Sequence, residues 1–216
     1  IELYTSDMKY PENQGEVSNT FVFRDLPVVK ASITPFKYYP LSRRLEVITS
    51  ADIELIEVED VDPVQIPNRI SRVFEPLYEA LVVNYNRSTN DDDYQKPSIL
   101  YILPSNSSNL MANLEILFDW RHRCGYVVNY VSTSTTGNSS SSIKNYISNA
   151  YSSWDDPPEY VALVGDANGS YSIPTYFESF SSYNGEGDHP YSQLVGNDIL
   201  PEVLIGRLSF SSTTEL

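Results

Sequence analysis

The single cysteine and a nearby histidine are the first residues of this sequence that could do chemistry. Cys124 is the only thiol, and His122 lies two positions before it. A thiolate next to an imidazolium is the reactive form of a cysteine nucleophile. On a helix, however, residues i and i+2 point about 200° apart, so these two side chains cannot meet. We therefore interpret Cys124 as a small packing residue and the other histidine, His189, as a surface-loop or hydrogen-bonding residue.

A second candidate site is Gly165-Asp166, which follows the apolar run from Tyr160 to Val164. Parallel sheets bind their ligands beyond the carboxyl ends of the strands, so we expect Gly165 and Asp166 at an active-site edge. The oxygens of Asp166, Asn168 and the Ser170 hydroxyl are candidate calcium ligands. The competing interpretation is an Asx turn that ends the strand, since the Asp-x-Asp-x-Asp-Gly loop and its distal glutamate are missing. Apart from calcium, we expect no cofactor.

The elements that position these residues alternate between strands and helices from residue 97 onward. Strands are predicted at 98–103, 126–131, 160–166 and 203–206, with helices around 110–121 and 143–150 and a Ser/Thr-rich loop at 132–142. This order requires right-handed crossovers and a mostly parallel sheet flanked by helices, an α/β fold. Asp188 and Asp198 flank a further segment, 191–196, which we interpret as a strand.

Before residue 90 the sequence is β-rich. Short Val- and Ile-containing runs at 26–33, 44–49 and 52–58 predict a small sandwich-like layer. Apolar residues three and four apart from Ile70 to Leu81 then predict an amphipathic helix, with Pro76 in its first turns. The polar stretch 84–96 is interpreted as a linker. The predicted organisation is thus a β-rich region at 1–83, a linker at 84–96 and an α/β region at 97–216.

The composition excludes several classes of protein. The 216 residues carry 14 Lys+Arg against 29 Asp+Glu, a net charge of −15, whereas nucleic-acid binding needs clustered basic residues. No apolar run reaches the roughly 18 residues of a membrane helix, so we expect no membrane span. The single cysteine excludes an internal disulfide. With 41% hydrophobic residues, a chain of this length can bury a sizeable core.

Several motifs of the second half occur together in one order. They are Tyr101-Ile102-Leu103-Pro104, Phe118 to Val128, Ile143 to Tyr151, Tyr160 to Asp166, Asp188 to Asp198 and Glu202 to Leu208. In this order and at this spacing, they resemble the gingipain-like cysteine peptidases (peptidase family C25) over roughly residues 97–216. Pro35 to Pro40, with the strands after it, is similar to the end of the β-rich pro-segment that precedes the catalytic domain in this family.

The resemblance implies a caspase-like fold for 97–216 and a pro-segment for the β-rich region 1–83. The whole protein would be a secreted or cell-surface endopeptidase acting on polypeptides, and Arg87 would be a candidate processing residue. Family members use a Cys nucleophile and a His in a His-Gly pair, both downstream of the strand that matches Glu202 to Leu208. Neither has a counterpart in this sequence. We therefore expect that the chain is the leading part of such an enzyme, truncated before the dyad, and inactive alone.

Two other interpretations stay open. A non-catalytic α/β binding or scaffold module of a surface protein would have the same fold without needing a catalytic dyad. A small-molecule-binding domain of the flavodoxin or receiver type would need a phosphate loop or an acidic cluster. Residues 103–109 offer hydroxyl groups but no glycine, which disfavours this last class.

Overall fold

The computed structural model describes residues 8–54, 69–180 and 182–216. The chain divides into two compact units. The first comprises Ile1–Phe21 and Pro27–Val64, and the second comprises Val22–Leu26 and Gln65–Leu216. The short segment Val22–Leu26 therefore belongs with the second half of the chain, although it lies far from that half in sequence.

The N-terminal strands are short and pair two by two in antiparallel fashion, which confirms that this region is β-rich. They are β1 (Gly15–Val17), β2 (Phe21–Phe23), β3 (Leu26–Val28), β4 (Ala31–Ile33), β5 (Phe36–Tyr39) and β6 (Arg44–Val47). β1 pairs with β4, β5 pairs with β6, and β2 and β3 form a hairpin around the turn Arg24-Asp25. The strand predicted at 52–58 is absent over 52–54, where the exposed residues pair with no strand. The rest of that strand lies outside the described residues.

An α-helix precedes the parallel sheet in the second unit. α1 spans Glu75–Leu81 and carries Pro76 in its first turn, where the missing amide proton is not needed. The predicted helix is confirmed, but it begins later than Ile70. In a helix that started there, the Pro76 ring would clash with the carbonyl four residues earlier. Ile70 instead forms a parallel bridge with Tyr94.

The centre of the second unit is a four-stranded parallel sheet. Its strands are β7 (Ser98–Leu103), β8 (Val127–Ser132), β9 (Tyr160–Val164) and β12 (Leu204–Leu208), and a hairpin of β10 (Tyr176–Phe180) and β11 (Tyr183–Gly187) lies between the last two in sequence. The spatial order is β12-β9-β7-β8, with all three pairings parallel. The predicted parallel α/β sheet is confirmed.

Helices cover both faces of this sheet: α2 (Met111–Arg123) on one and α4 (Ser140–Ser153) on the other. Alternate side chains of β7 point to opposite faces, as in any strand. One core cluster contains Leu100 and Ile102 with Ile143 and Ile147 of α4, and the other contains Tyr101 and Leu103 with Leu114 and Phe118 of α2. Among the described residues, no helix is long and apolar enough to cross a membrane.

Three segments of the second unit differ from the prediction. The predicted loop 132–142 contains a short helix, α3 (Thr133–Thr136), and α4 begins inside it because the Ser139 hydroxyl accepts the Ser142 amide at 3.1 Å. The segment 191–196 is not a strand but follows a 3₁₀ turn at His189–Tyr191, closed by local backbone hydrogen bonds. The hairpin of β10 and β11 was not predicted.

The predicted linker packs within the second unit. Its first ten residues, 84–93, are mostly exposed, but Tyr94 and Gln95 are buried. The Tyr94 hydroxyl donates to the Glu75 carboxylate at 2.6 Å. The compact units do not coincide with the predicted division into 1–83, 84–96 and 97–216, which stays a prediction.

Candidate functional site

The carboxyl edge of the parallel sheet is built around Gly165, the residue that follows β9. Its φ is +139°, and a Cβ placed there would lie 2.1 Å from the Tyr171 carbonyl oxygen. Only glycine fits such a close approach of two backbone segments. The Gly165 amide donates to the Leu208 carbonyl at 2.9 Å, which ties the end of β9 to the end of β12.

Asp166 continues from this glycine and lies half-buried at the edge. Its Oδ1 accepts the amide of the next residue, Ala167, at 2.8 Å, whereas the side chain of an Asx turn binds the amide two residues on. Asn168 and Ser170 are exposed. In the described part of the chain, no group of three or more His, Cys, Asp and Glu side chains is arranged to hold a metal ion. Calcium binding by Asp166 and Asn168 stays a prediction.

An arginine and an aspartate that the sequence analysis did not connect fix the same edge. Arg207 of β12 donates from Nε to Oδ2 of Asp188 and from Nη2 to Oδ1, both at 2.7 Å. Its Nη1 donates to the carbonyls of Gly165 at 3.0 Å and Ile173 at 2.9 Å. One guanidinium therefore holds the loop after β9 against the segment that follows β11.

This ion pair controls the charge of the Asp188 carboxyl. Burial alone would raise the pKa of Asp188, but hydrogen bonds from Arg207 and Thr175 outweigh burial, so the pKa lies below its ordinary value. The carboxylate therefore stays ionised and paired at neutral pH. The sequence analysis placed Asp188 only beside a predicted strand, whereas its side chain reaches across to Arg207 of β12.

At the opposite, amino end of the sheet, two glutamates are buried just before the strands. Glu159 precedes β9 and Glu202 lies near the start of β12. Glu202 Oε2 accepts the amides of Leu194 at 2.6 Å and Val195 at 3.1 Å, and Glu159 Oε1 accepts the Ser71 hydroxyl at 2.5 Å. Burial raises the pKa of both carboxyls, that of Glu202 to about 7. Neither was singled out as a site residue from the sequence.

Cys124 and His122, which we expected not to form a catalytic pair, lie at the C-terminal end of α2. Cys124 caps the C-terminus of α2 and is exposed, so it is not the packing residue we expected. It lies beyond Phe118, the last residue of α2 buried in the core. His122 and His189 are exposed as well. No hydrogen bond joins the thiol to an imidazole within the described residues.

Arg87, the candidate processing residue, lies at the surface beside α1. Its Nε is 3.1 Å from Oε2 of Glu75 and 3.3 Å from Oε1 of Glu79. Its side chain is 54% exposed. Arg87 is therefore accessible but held by two carboxylates.

Comparison with known families gives the class of the protein. The model of peptidase family C25 matches residues 92–216, and the model of the C25 propeptide matches residues 1–86. The chain belongs to peptidase family C25, and propeptide-like residues precede its peptidase region. The resemblance inferred from the motifs is confirmed.

Two curated relatives and two solved structures illustrate this similarity. Gingipain R2 of Porphyromonas gingivalis is 26% identical over 227 residues, which cover 99% of this chain and 28% of the relative. Gingipain R1 of the same species is 24% identical over 222 residues, covering 99% and 21%. The chain thus spans less than a third of these relatives.

The first structure, described as a complex of Porphyromonas gingivalis RgpB pro- and mature domains, is 25% identical, with a TM-score of 0.46 over 55% of this chain and 26% of that one. The second, described as the Arg-specific cysteine proteinase gingipain R, is 22% identical, with a TM-score of 0.46 over 61% and 28%.

Proposed function

We propose that this chain comprises the pro-segment and the first part of the catalytic domain of a secreted, gingipain-like cysteine endopeptidase. Its substrates are polypeptides. The carboxyl edge at Gly165 and Asp166 forms part of the active-site wall, with Asp166 at the rim and outside the chemistry. The nucleophile and base of the family come from residues outside this chain.

The observation that carries the proposal is the interval between the two family matches. The propeptide match ends at residue 86 and the peptidase match begins at residue 92. Arg87 is the first residue of that interval, and its surroundings from 84 to 93 are mostly exposed. Exposed polar segments are the preferred sites of proteolytic cleavage. We infer that Arg87 is the residue after which the chain is cut between the pro-segment and the peptidase region.

Inactivity of the chain alone follows from the position of its only thiol. Cys124 is an exposed helix cap, and among the described residues no histidine is hydrogen-bonded to it, whereas a catalytic cysteine needs an adjacent general base to activate it. Incubation of the purified chain with a thiol-directed activity probe and a peptide library should give no turnover. Turnover that disappears in Cys124→Ala would contradict the proposal.

Processing is tested on the full-length protein expressed in a host that exports it. Mass spectrometry of the mature protein in the medium should find a new N-terminus at Ser88, and Arg87→Ala should delay its appearance. Arg123→Ala, an exposed arginine on α2, is the matched control. Activity should appear only after the cut. A full-length protein that is exported without cleavage and without peptidase activity would favour a non-catalytic binding module.

A further inference from the structure

The turn between β2 and β3 carries an arginine in an unusual position. Arg24 has a φ of 57°, in the left-handed region that hairpin turns normally fill with Gly or Asn. It is nevertheless 0% exposed. A buried arginine in a strained turn persists only where surrounding contacts hold it.

These contacts come from the amino end of the parallel sheet. Arg24 Nη1 donates to the carbonyls of Pro158, at 3.1 Å, and Glu202. Nη2 donates to Gln95 Oε1 at 2.9 Å and to the Pro157 carbonyl at 3.4 Å. The acceptors lie just before β7, β9 and β12. The guanidinium therefore sits at the edge opposite to Gly165 and Asp166.

Aromatic rings complete the enclosure. The Arg24 guanidinium carbon lies 5.0 Å from the centre of the Phe74 ring and 5.5 Å from that of Tyr151, within the range of cation–π attraction. The Tyr151 hydroxyl donates to the Arg24 carbonyl at 2.5 Å. We call the surrounding residues the arginine socket: Gln95, Tyr151, Pro157, Pro158 and Glu202.

The arrangement selects a guanidinium over an ammonium. Four oxygen acceptors surround the two terminal nitrogens of the planar guanidinium, and two aromatic rings lie beside it. A lysine ammonium is a single compact charge, and its three donors cannot match this geometry. Neutral replacements are disfavoured as well. Burial raises the pKa of the Asp25 and Glu159 carboxyls, whereas the nearby Arg24 charge lowers the pKa of both. A neutral side chain at position 24 would remove this favourable charge.

The two sides of this contact belong to different family matches. Arg24 lies in the propeptide region and the arginine socket lies in the peptidase region. On the propeptide side, Asp25 fixes the turn by accepting the Ser71 amide at 2.7 Å and the Tyr78 hydroxyl. The turn is thus held in shape by its own region, while Arg24 projects into the other.

We propose that the arginine socket is a guanidinium-binding site that retains the pro-segment on the peptidase region, through Arg24, after the junction between them is cut. The inference rests on the proposed function of residues 1–86 as a cleavable pro-segment. Retention at the amino edge leaves the carboxyl edge free of this contact. Cleavage at the junction therefore does not by itself separate the two parts.

The test uses the full chain with a recognition sequence for a site-specific protease inserted between Ser88 and Thr89. After the cut, the fragments of the otherwise unchanged chain should co-elute in size-exclusion chromatography. Arg24→Lys should weaken their association about 30-fold or more, as expected for a buried hydrogen-bonded charge. Arg44→Lys, an exposed arginine of β6, is the matched control and should leave the dissociation constant within about twofold.

Chemical complementation gives a second, independent measurement. Arg24→Gly keeps the turn conformation, which glycine tolerates, and empties the arginine socket. Ethylguanidinium should restore co-elution of the cut Arg24→Gly fragments, whereas ethylammonium at the same concentration should not. Thermal denaturation of the uncut variants shows whether they are folded. If Arg24→Gly is unfolded, the association of the cut Arg24→Lys fragments alone tests the role of the arginine socket.

The outcomes separate this inference from the proposed function. Unaltered association in Arg24→Lys, or separation of the cut parent chain, would overturn the role of the arginine socket while leaving processing at Arg87 untouched. Processing at another site would remove the role of Arg87, but the engineered cut would still measure retention through Arg24.

Discussion

Arg207 and Asp188, 19 residues apart in sequence, form a two-pronged ion pair that closes the carboxyl edge of the sheet. The arginine side chain is 11% exposed and the aspartate side chain 22%. Because Arg207 also donates to two backbone carbonyls, it satisfies acceptors in the loop after β9 as well as the charge of Asp188. The position of Gly165 and Asp166 therefore depends on a residue of the neighbouring strand.

Replacing this arginine should destabilise the second unit. Arg207→Ala leaves the Asp188 carboxylate and the Gly165 and Ile173 carbonyls without their donor, and we expect the free energy of unfolding to fall by about 2–4 kcal/mol. Urea denaturation followed by fluorescence measures it. Arg123→Ala, on the exposed end of α2, should change it by less than about 0.5 kcal/mol. Equal effects of the two substitutions would show that the ion pair does not hold the edge.

Glu202 should make stability depend on pH in the direction opposite to a paired carboxylate. Its pKa is raised by burial from an ordinary value of 4.5 to about 7. Between these values the folded state keeps a proton that the unfolded state has lost, so stability falls as pH rises and levels off above about 7. The full loss is up to about 3 kcal/mol.

Glu202→Gln should remove this decline. The amide oxygen of glutamine can still accept the Leu194 and Val195 amides, and it has no proton to lose. The fall in unfolding free energy from pH 5 to pH 8 should then be smaller for the variant than for the parent chain, and the part that remains comes from other buried carboxyls such as Glu159, whose pKa burial also raises. Glu115→Gln, on the exposed face of α2, should keep the parental dependence. A variant with the full parental decline would assign the titration to another group.

Gly165→Ala tests the close approach at the carboxyl edge. A Cβ there would meet the Tyr171 carbonyl oxygen, and the φ of +139° is unfavourable for any other residue. We expect a loss of about 2 kcal/mol or more in the free energy of unfolding. Gly206→Ala on β12 is the control, because its Cβ would have no atom within 4 Å. A loss in Gly206→Ala as large as in Gly165→Ala would contradict this explanation.

The sequence predicted the parallel sheet well because its two central strands, β7 and β9, are largely buried. β7 reads as an uninterrupted apolar run, and α4 shows apolar residues at helical spacing, so burial alone determines their type. β10 (Tyr-Phe-Glu-Ser-Phe) and β11 (Tyr-Asn-Gly-Glu-Gly) were missed because their residues do not alternate regularly between apolar and polar, and Phe177 is 68% exposed. A hairpin of this kind is stabilised by pairing between its own two strands, so its sequence shows no clear apolar periodicity.

The candidate site was predicted only in part. Gly165 and Asp166 were found because strand ends are visible in a sequence, but the partners of Arg207 and Arg24 are set by tertiary structure. Pro158 lies 134 residues after Arg24. A signal did exist for Arg207: a single charged residue within an apolar parallel strand is rarely buried without a partner.

The last prediction concerns access to Arg87. A processing peptidase must take the arginine side chain into its own pocket, so the ion pairs of Arg87 with Glu75 and Glu79 compete with cleavage. Glu79 is 52% exposed in its side chain, and an exposed pair of this kind contributes about 0.2–1 kcal/mol. Glu79→Gln should therefore accelerate cleavage after Arg87 by about two- to fivefold. Limiting trypsin followed by intact-mass spectrometry measures the rate. Glu115→Gln should leave that rate unchanged, and a rate that does not rise in Glu79→Gln would mean that the ion pairs do not restrain the junction.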